Sequence, residues 1–310
     1  MSSRGAVLVT GGAGFIGVNL APILAERGWR TIAFDNGSTG RLADAETAGF
    51  DLVVEGDVRD QDALTSAAAS ADAIVHLAAQ AGVPSSIADP VTDCDLNVRG
   101  TLHALLAARD AGVSGFVMAS SNAPLGEIEP PAHEGVVPRP LSPYGASKLA
   151  GEAYCSAFAG SYGVPAVVLR FANVYGPFSY HKGSVVATFL KAIMDGRPIR
   201  VNGDGTQTRD FVFVEDLCRG IGAALESGLA GETFHLGTGT ETSINDLTAL
   251  LTDSFGDREV VVEYGPPLAG EIQRNCADIG KARELLGYAP DTALRDGLQA
   301  TRDWFVEAFS

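Results

Sequence analysis

The chain is poor in cysteine, and its cysteines are not spaced for any shared task. Cys94, Cys155, Cys218 and Cys276 are the only four in 310 residues and lie far apart. They form no metal-ligand cluster, so no metal is expected, and they read as reduced, mostly buried thiols. Long apolar runs are also missing. None approaches the roughly 20 residues of a membrane span. No charged leader followed by an apolar stretch precedes the first strand, so a cytoplasmic protein is expected. Basic residues are outnumbered, 22 Lys and Arg against 38 Asp and Glu, for a net charge of −16. So acidic a surface repels phosphate backbones and anionic membranes, which argues against nucleic-acid or membrane partners. An anionic ligand would need positive charge built locally at its site.

What remains is an ordinary globular composition, 46% hydrophobic and 19% charged. The length suits one large domain or two closely associated ones. In the first half, short apolar runs alternate with helical patterns. Strands are expected at 6–10, 31–34, 52–55, 73–77, 116–118 and 166–170, with helices through Leu20 to Leu24 and near 61–70, 91–111 and 144–162. Continuous apolar strands separated by helices predict a parallel sheet covered on both faces, the doubly wound α/β (Rossmann) architecture. After residue 175 the rhythm changes. Helices are expected near 184–195, 215–227, 243–254, 278–286 and 292–309, with strands near 210–214, 233–236 and 259–263. Residues 1–175 therefore read as a dinucleotide-binding domain. Residues 176–310 read mainly as a smaller α/β substrate lobe, with the strands near 210–214 and 233–236 returning to the main sheet.

The run Gly11-Gly12-Ala13-Gly14-Phe15-Ile16-Gly17 follows the first strand and opens the first helix. Its glycines allow a tight turn and close backbone approach to a pyrophosphate, which the helix N-terminus then faces. Asp35 and Asn36 follow the second strand, where a carboxylate can accept from an adenosine ribose and repel a 2′-phosphate; NAD is expected over NADP. Asp57, in Gly56-Asp57-Val58, is placed near the adenine amine, or is a helix-capping carboxylate. Further on, Tyr144 and Lys148 stand four apart in a helical pattern, on one face. Lys148 is then expected to lower the pKa of the Tyr144 phenol, giving a general base beside the nicotinamide.

The glycine loop, Asp35, Asp57, His76-Leu77-Ala78-Ala79, Ser120-Ser121, Tyr144/Lys148, Arg170 to Pro177 and Gly203 to Phe211 occur in one order. In that order the chain resembles the extended short-chain dehydrogenase/reductases, and among them nucleotide-sugar 4-epimerases of the UDP-galactose 4-epimerase type. The resemblance covers nearly the whole chain. It implies a bound NAD touching Gly11, Gly14, Phe15, Ile16, Gly17, Asp35, Asn36, Asp57, Val58, Leu77, Ala78, Ala79, Tyr144, Lys148 and Phe171. It makes Tyr144 the base, Lys148 the ribose ligand and Ser121 the partner of the sugar O4, with Ser120 beside it. Asn173 and Arg209 then hold the diphosphate of a UDP-sugar; a surface ion pair of Arg209 with Asp210 or Asp204 is the less favoured reading. Relatives are often homodimers through paired helices, here near 91–111 and 144–162.

Two departures from the family pattern stand out. Leu268 lies where many relatives carry an Arg shortly before the Gly270-Glu271 position, and Arg274 is a candidate replacement. Pro124-Leu125-Gly126 replaces Val-Tyr-Gly, which removes an aromatic from the loop expected beneath the sugar. The same comparison separates the reactions. Related 4,6-dehydratases carry an Asp/Glu pair after the catalytic Thr, and UDP-glucuronate decarboxylases carry Thr-Ser-Glu; this chain has Asn122-Ala123. Epimerisation at C4 is therefore expected, of a UDP-hexose or a UDP-hexuronate. A dinucleotide fold without catalysis is disfavoured by Tyr144, Lys148 and Ser121. His181 and Lys182, in the segment expected to cover the sugar, are candidates for a sugar carboxylate or simple solvated charges.

Overall fold

The computed structural model describes residues 4–267 and 272–309. Its first half is β1 (Ala6–Thr10), α1 (Phe15–Glu26), β2 (Arg30–Asp35), α2 (Leu42–Thr47), β3 (Leu52–Glu55), α3 (Gln61–Ala68), β4 (Ala73–His76), α4 (Val83–Ala88), α5 (Pro90–Cys94), α6 (Gly100–Ala111), β5 (Phe116–Ser121), α7 (Pro143–Tyr162) and β6 (Ala166–Phe171). The rest is β7 (Asn173–Tyr175), α8 (Val185–Met194), β8 (Ile199–Asn202), β9 (Thr208–Arg209), β10 (Phe211–Phe213), α9 (Val214–Glu226), β11 (Glu232–Leu236), β12 (Thr242–Ser243), α10 (Ile244–Ser254), β13 (Val262–Gly265), α11 (Gly280–Leu286) and α12 (Leu294–Phe309).

Seven parallel strands form the main sheet in the order β11-β6-β5-β4-β1-β2-β3. Alternate residues of each strand feed opposite faces. In β1, Val7 and Val9 enter one hydrophobic layer with α1 and α9, while Ala6 and Leu8 enter the other with α3 and α6. Both layers are buried, which is why these strands read as unbroken apolar runs. The chain grows outward from β1 in one direction and then crosses to β4. Ligands of such sheets bind at that switch point, beyond the carboxyl ends of the strands.

β11 joins the main sheet, as expected of the strand near 233–236. The strand expected near 210–214 does not. It is β10 and pairs in parallel with β7 in a separate two-stranded sheet. The partner changes within two residues: Ala172 N–H still donates to Leu236, but Asn173 N–H donates to Asp210. Buried Asp210 accepts from the N–H groups of Thr238 (2.8 Å) and Gly239 (3.1 Å), turning the chain away after β11 and freeing the edge of β7. The helix expected over 91–111 is also interrupted. A π-helical turn, Asp95–Arg99, separates α5 from α6 and carries Asn97. The short α2, α4 and β8 carry too weak a periodic signal to be expected from sequence. A third apolar cluster, including Phe189, Leu190, Phe211, Leu247 and Phe305, is the core of the later segment.

Candidate active site

The glycine-rich loop crosses beneath the end of β4. Gly11 has φ +72, and a Cβ there would come within 2.7 Å of the Ala78 nitrogen. A Cβ on Gly17 would come within 2.5 Å of the Gly12 carbonyl oxygen, so only glycine lets α1 start so close to the loop. Gly14 caps α1 without a side-chain hydrogen bond, leaving the first N–H groups, at half-buried Phe15 and Ile16, facing the cleft. That end suits a diphosphate. At the tip of β2, Asp35 accepts from Ala13 N–H (3.0 Å) and Gly37 N–H (2.8 Å). Burial pushes its carboxyl up, and those N–H bonds oppose the shift. Asn36 donates to Asp57 at 2.9 Å, next to the ion pair of Asp57 with Arg59 at 2.6 Å. Arg59 holds the Asp57 carboxyl well below the usual carboxylate range. Val58 is buried and packs against Gly100, so only its backbone remains for a ligand. Leu77, Ala78 and Ala79, all half-buried, follow β4 on the facing side of the loop. These groups fit NAD: a donor-rich helix end for the diphosphate and a carboxylate for the ribose.

Nearby, His76 bridges Thr10 (2.8 Å) and Thr101 (3.1 Å). Burial, with Lys148 adding to it, pushes its pKa down to about 3. It is a neutral strut between strand and helix, with no proton to exchange near neutral pH.

Ser121 ends β5, and Tyr144 and Lys148 lie in the first turns of α7. Ser142 caps that helix by accepting from Gly145 N–H at 3.1 Å, and Pro143 occupies its first turn. The Ser121 hydroxyl hydrogen-bonds the Tyr144 phenol. Burial pushes the phenol pKa up, and the Ser121 bond pulls it down. In the chain alone, then, Ser121 opposes the rise, not Lys148 as the i, i+4 spacing suggested. The Lys148 Nζ lies 6.0 Å from the Tyr144 ring centre and donates to the Ala119 carbonyl at 2.9 Å. Burial lowers its pKa to about 8, against the pull of Asp93 and Glu152.

Asn97 was not singled out from the sequence. Its amide donates to Gln80 O (3.1 Å), Asp93 (3.0 Å) and Ser147 (3.1 Å), and its carbonyl accepts from Gln80 N–H (2.9 Å). It ties the segment after β4 to α7 next to Lys148. Asp93 and Asn97, four apart and both buried, were the available signal: polar residues on the inner face of a helix.

Several expected ligands are engaged elsewhere. Ser120 lies on the cleft wall, but its hydroxyl donates to Glu152 at 2.5 Å. Glu152 is itself in a buried ion pair with Arg170 (2.7 Å), so Ser120 serves that pair. Asn122 turns away, accepting from His235 Nδ1 (3.0 Å) and donating to Asn275 (3.1 Å). Pro124 and Leu125 are buried in a 3₁₀ turn. Leu125 borders a second, small cavity with Arg274, so this turn does not lie beneath the main cleft. Arg274 is paired with Glu241 (2.6 Å) and does not line the main cleft either. Leu268 and Gly270-Glu271, the positions Arg274 was expected to compensate for, lie outside the described residues. His181 is exposed and off the cleft wall, edge-on to Tyr180.

The main cleft has a volume of about 500 Å³. It brings together Ser121, Tyr144, Phe171, Asn173, Lys182 and Arg209. Arg209 is positioned by donating to the Thr208 and Ile272 carbonyls, each at 2.8 Å.

Comparison with known proteins agrees with this geometry. Residues 7–237 match the NAD dependent epimerase/dehydratase family. The chain is 38% identical over 307 residues to a UDP-glucose 4-epimerase of Mycolicibacterium smegmatis, covering 96% of this chain and 97% of that protein. It is 34% identical to a dTDP-glucose 4,6-dehydratase of Streptomyces antibioticus over 96% of this chain and 92% of that one. Its fold matches the UDP-glucuronic acid 4-epimerase of Bacillus cereus, solved with UDP-glucuronic acid and NAD. The TM-score is 0.91 at 31% identity, covering 98% of this chain and 100% of the other. A doubly wound sheet, a glycine loop beneath its switch point and a Tyr–Lys helix beside a serine strand end thus coincide with similarity over almost the full length, and the chain belongs to the NAD-dependent epimerase/dehydratase family.

Proposed function

We propose that the protein is an NAD-dependent 4-epimerase of a UDP-sugar, either a hexose (UDP-glucose/UDP-galactose) or a hexuronate (UDP-glucuronate/UDP-galacturonate). One observation carries the choice of reaction. Tyr144 and Ser121 share a cleft that no Asp or Glu lines among the described residues. Inversion at C4 needs one group to move the O4 proton. Dehydration across C5 and C6 needs a further acid and base, and Asn122 and Ala123 supply neither.

The roles follow from the positions. Tyr144 as phenolate takes the O4 proton and later returns it, while Ser121 hydrogen-bonds both the phenol and O4. Lys148 adds positive charge beside the phenol and binds the ribose next to the ring. When bound, NAD supplies the reversible redox partner for C4. Asn173 and Arg209 hold the diphosphate while the 4-keto sugar turns over between its two faces, Arg209 by bidentate pairing. Net redox change is zero, so the cofactor stays with the protein.

The test is direct: UDP-glucose and UDP-glucuronate are incubated separately with the enzyme and the C4 epimers resolved by NMR. Formation of a 4-keto-6-deoxy sugar or a pentose in place of an epimer refutes the proposal. The protein is further inferred to be a homodimer. Ile87 on α4, Val91 on α5 and Tyr154 and Tyr162 on α7 are apolar and exposed, and pairing of these helices would cover them. Sedimentation at micromolar concentration tests this; a monomer there is the contrary result. A cytoplasmic location accords with the four unpaired thiols, and fractionation of cells checks it.

A further inference from the structure

The cleft's charge is at odds with the rest of the chain. In a protein of net charge −16, the charged residues lining it are Lys182, Arg200 and Arg209, all cationic. Two of these have evident company. Arg200 is 83% exposed and lies 3.5 Å from Glu263. Arg209 is held by backbone carbonyls at the diphosphate end.

Lys182 is different. Its ammonium turns inward, donating to the Val174 carbonyl at 3.2 Å and lying 4.6 Å from the Phe15 ring centre. One carbonyl and one ring face serve a group with three protons to donate. No carboxylate of the described residues pairs with it, although the chain has 38 acidic residues and only four lysines. Lys281, by contrast, has Glu232 at 2.7 Å. A half-buried cation without a counter-ion is disfavoured unless a ligand supplies one. Val174 directly follows Asn173, and Lys182 lines the same cleft as Ser121, Tyr144 and Asn173.

We propose that Lys182 is the counter-ion of a carboxylate at C6 of the sugar, making the substrate a nucleoside-diphosphate hexuronate. This rests on the 4-epimerase assignment above and selects between its two substrate classes. A neutral hexose offers Lys182 only a hydroxyl, which leaves the ammonium uncompensated. The other anion within reach is the cofactor's diphosphate, because Phe15 opens α1. The experiment separates the two sources.

Wild-type holoenzyme, Lys182→Met and Lys182→Arg are assayed for binding of UDP-glucuronate and UDP-glucose by calorimetry, for C4 epimerisation by NMR, and for retained NAD. Wild type should bind the uronate at least about 10-fold more tightly. Lys182→Met should reduce the uronate-to-hexose ratio by about 10- to 100-fold, the usual worth of one charge-assisted hydrogen bond. Lys182→Arg should recover part of that ratio. Equal binding of the two sugars by wild type, or an unchanged ratio in Lys182→Met, overturns the proposal. Loss of NAD from Lys182→Met with the ratio unchanged assigns the cation to the cofactor instead and also overturns it. If the binding ratio behaves as stated but neither sugar is epimerised, the 4-epimerase assignment fails while the carboxylate assignment stands.

Discussion

Ser121 offers the sharpest test of the reactive site. Burial raises the Tyr144 phenol pKa, and the Ser121 hydroxyl is what opposes it. A hydrogen bond to a charged partner contributes about 1.5–3 kcal/mol. Ser121→Ala should therefore raise the phenol pKa further. In the proposed mechanism only the phenolate accepts the O4 proton, so the rising limb of kcat against pH should move to higher pH. Near pH 7 kcat should fall about 10- to 100-fold, and the deficit should narrow as pH rises through the shifted limb. The assay is a kcat–pH profile of wild type and variant from NMR progress curves. Ser121 also accepts from Ala123 N–H at 3.0 Å, a local contact whose loss touches stability but not the phenol. A Ser121→Ala profile lowered by the same factor at every pH would refute the coupling, because it would leave the phenol pKa unmoved.

Other predictions follow from the same contacts. Lys182, with a pKa of about 8, pairs with an anion only when protonated. The ratio of kcat/KM for UDP-glucuronate to that for UDP-glucose should therefore fall above about pH 8; taking the ratio cancels the shared Tyr144 titration, and a flat ratio is the contrary result. Glu152→Ala leaves the Arg170 charge buried and unpaired, at about 3–5 kcal/mol of stability. Urea unfolding measures this, and a loss under 1 kcal/mol would mean that the pair is not buried as described. Asp35→Ala should weaken retention of NAD more than it weakens NADP binding, because it removes both an acceptor for the ribose and the repulsion of a 2′-phosphate; competitive binding of the two cofactors reads the change. Leu125→Tyr, which restores the family's aromatic, should destabilise by about 1–3 kcal/mol through overpacking and leave sugar preference unchanged, since Leu125 is 1% exposed and off the main cleft.

Much of the molecule follows from local sequence. The strands of the main sheet are unbroken apolar runs because both faces of a parallel sheet are covered, and such runs mark themselves. The glycine loop, Asp35 and the Tyr144/Lys148 spacing follow from backbone rules acting over a few residues: turn sterics, a strand end, one helix face. Tertiary structure decided how the polar side chains are shared out. Ser120 and Ser121 are adjacent in β5, and alternation alone sends one to Glu152 and the other to Tyr144. Asn122 finds His235 and Asn275, each more than 110 residues away. Arg274 is claimed by Glu241, and Asn97 reaches Gln80, Asp93 and Ser147 from within a π-helical turn. β10 takes β7 as its partner because Asp210 turns the chain after β11. Lys182 reads in sequence as one loop charge beside another. Only the folded chain separates it from His181, leaving the imidazole in solvent and turning the ammonium into the cleft, because the carbonyl and ring that receive it come from β7 and α1, distant in sequence and joined only by the fold.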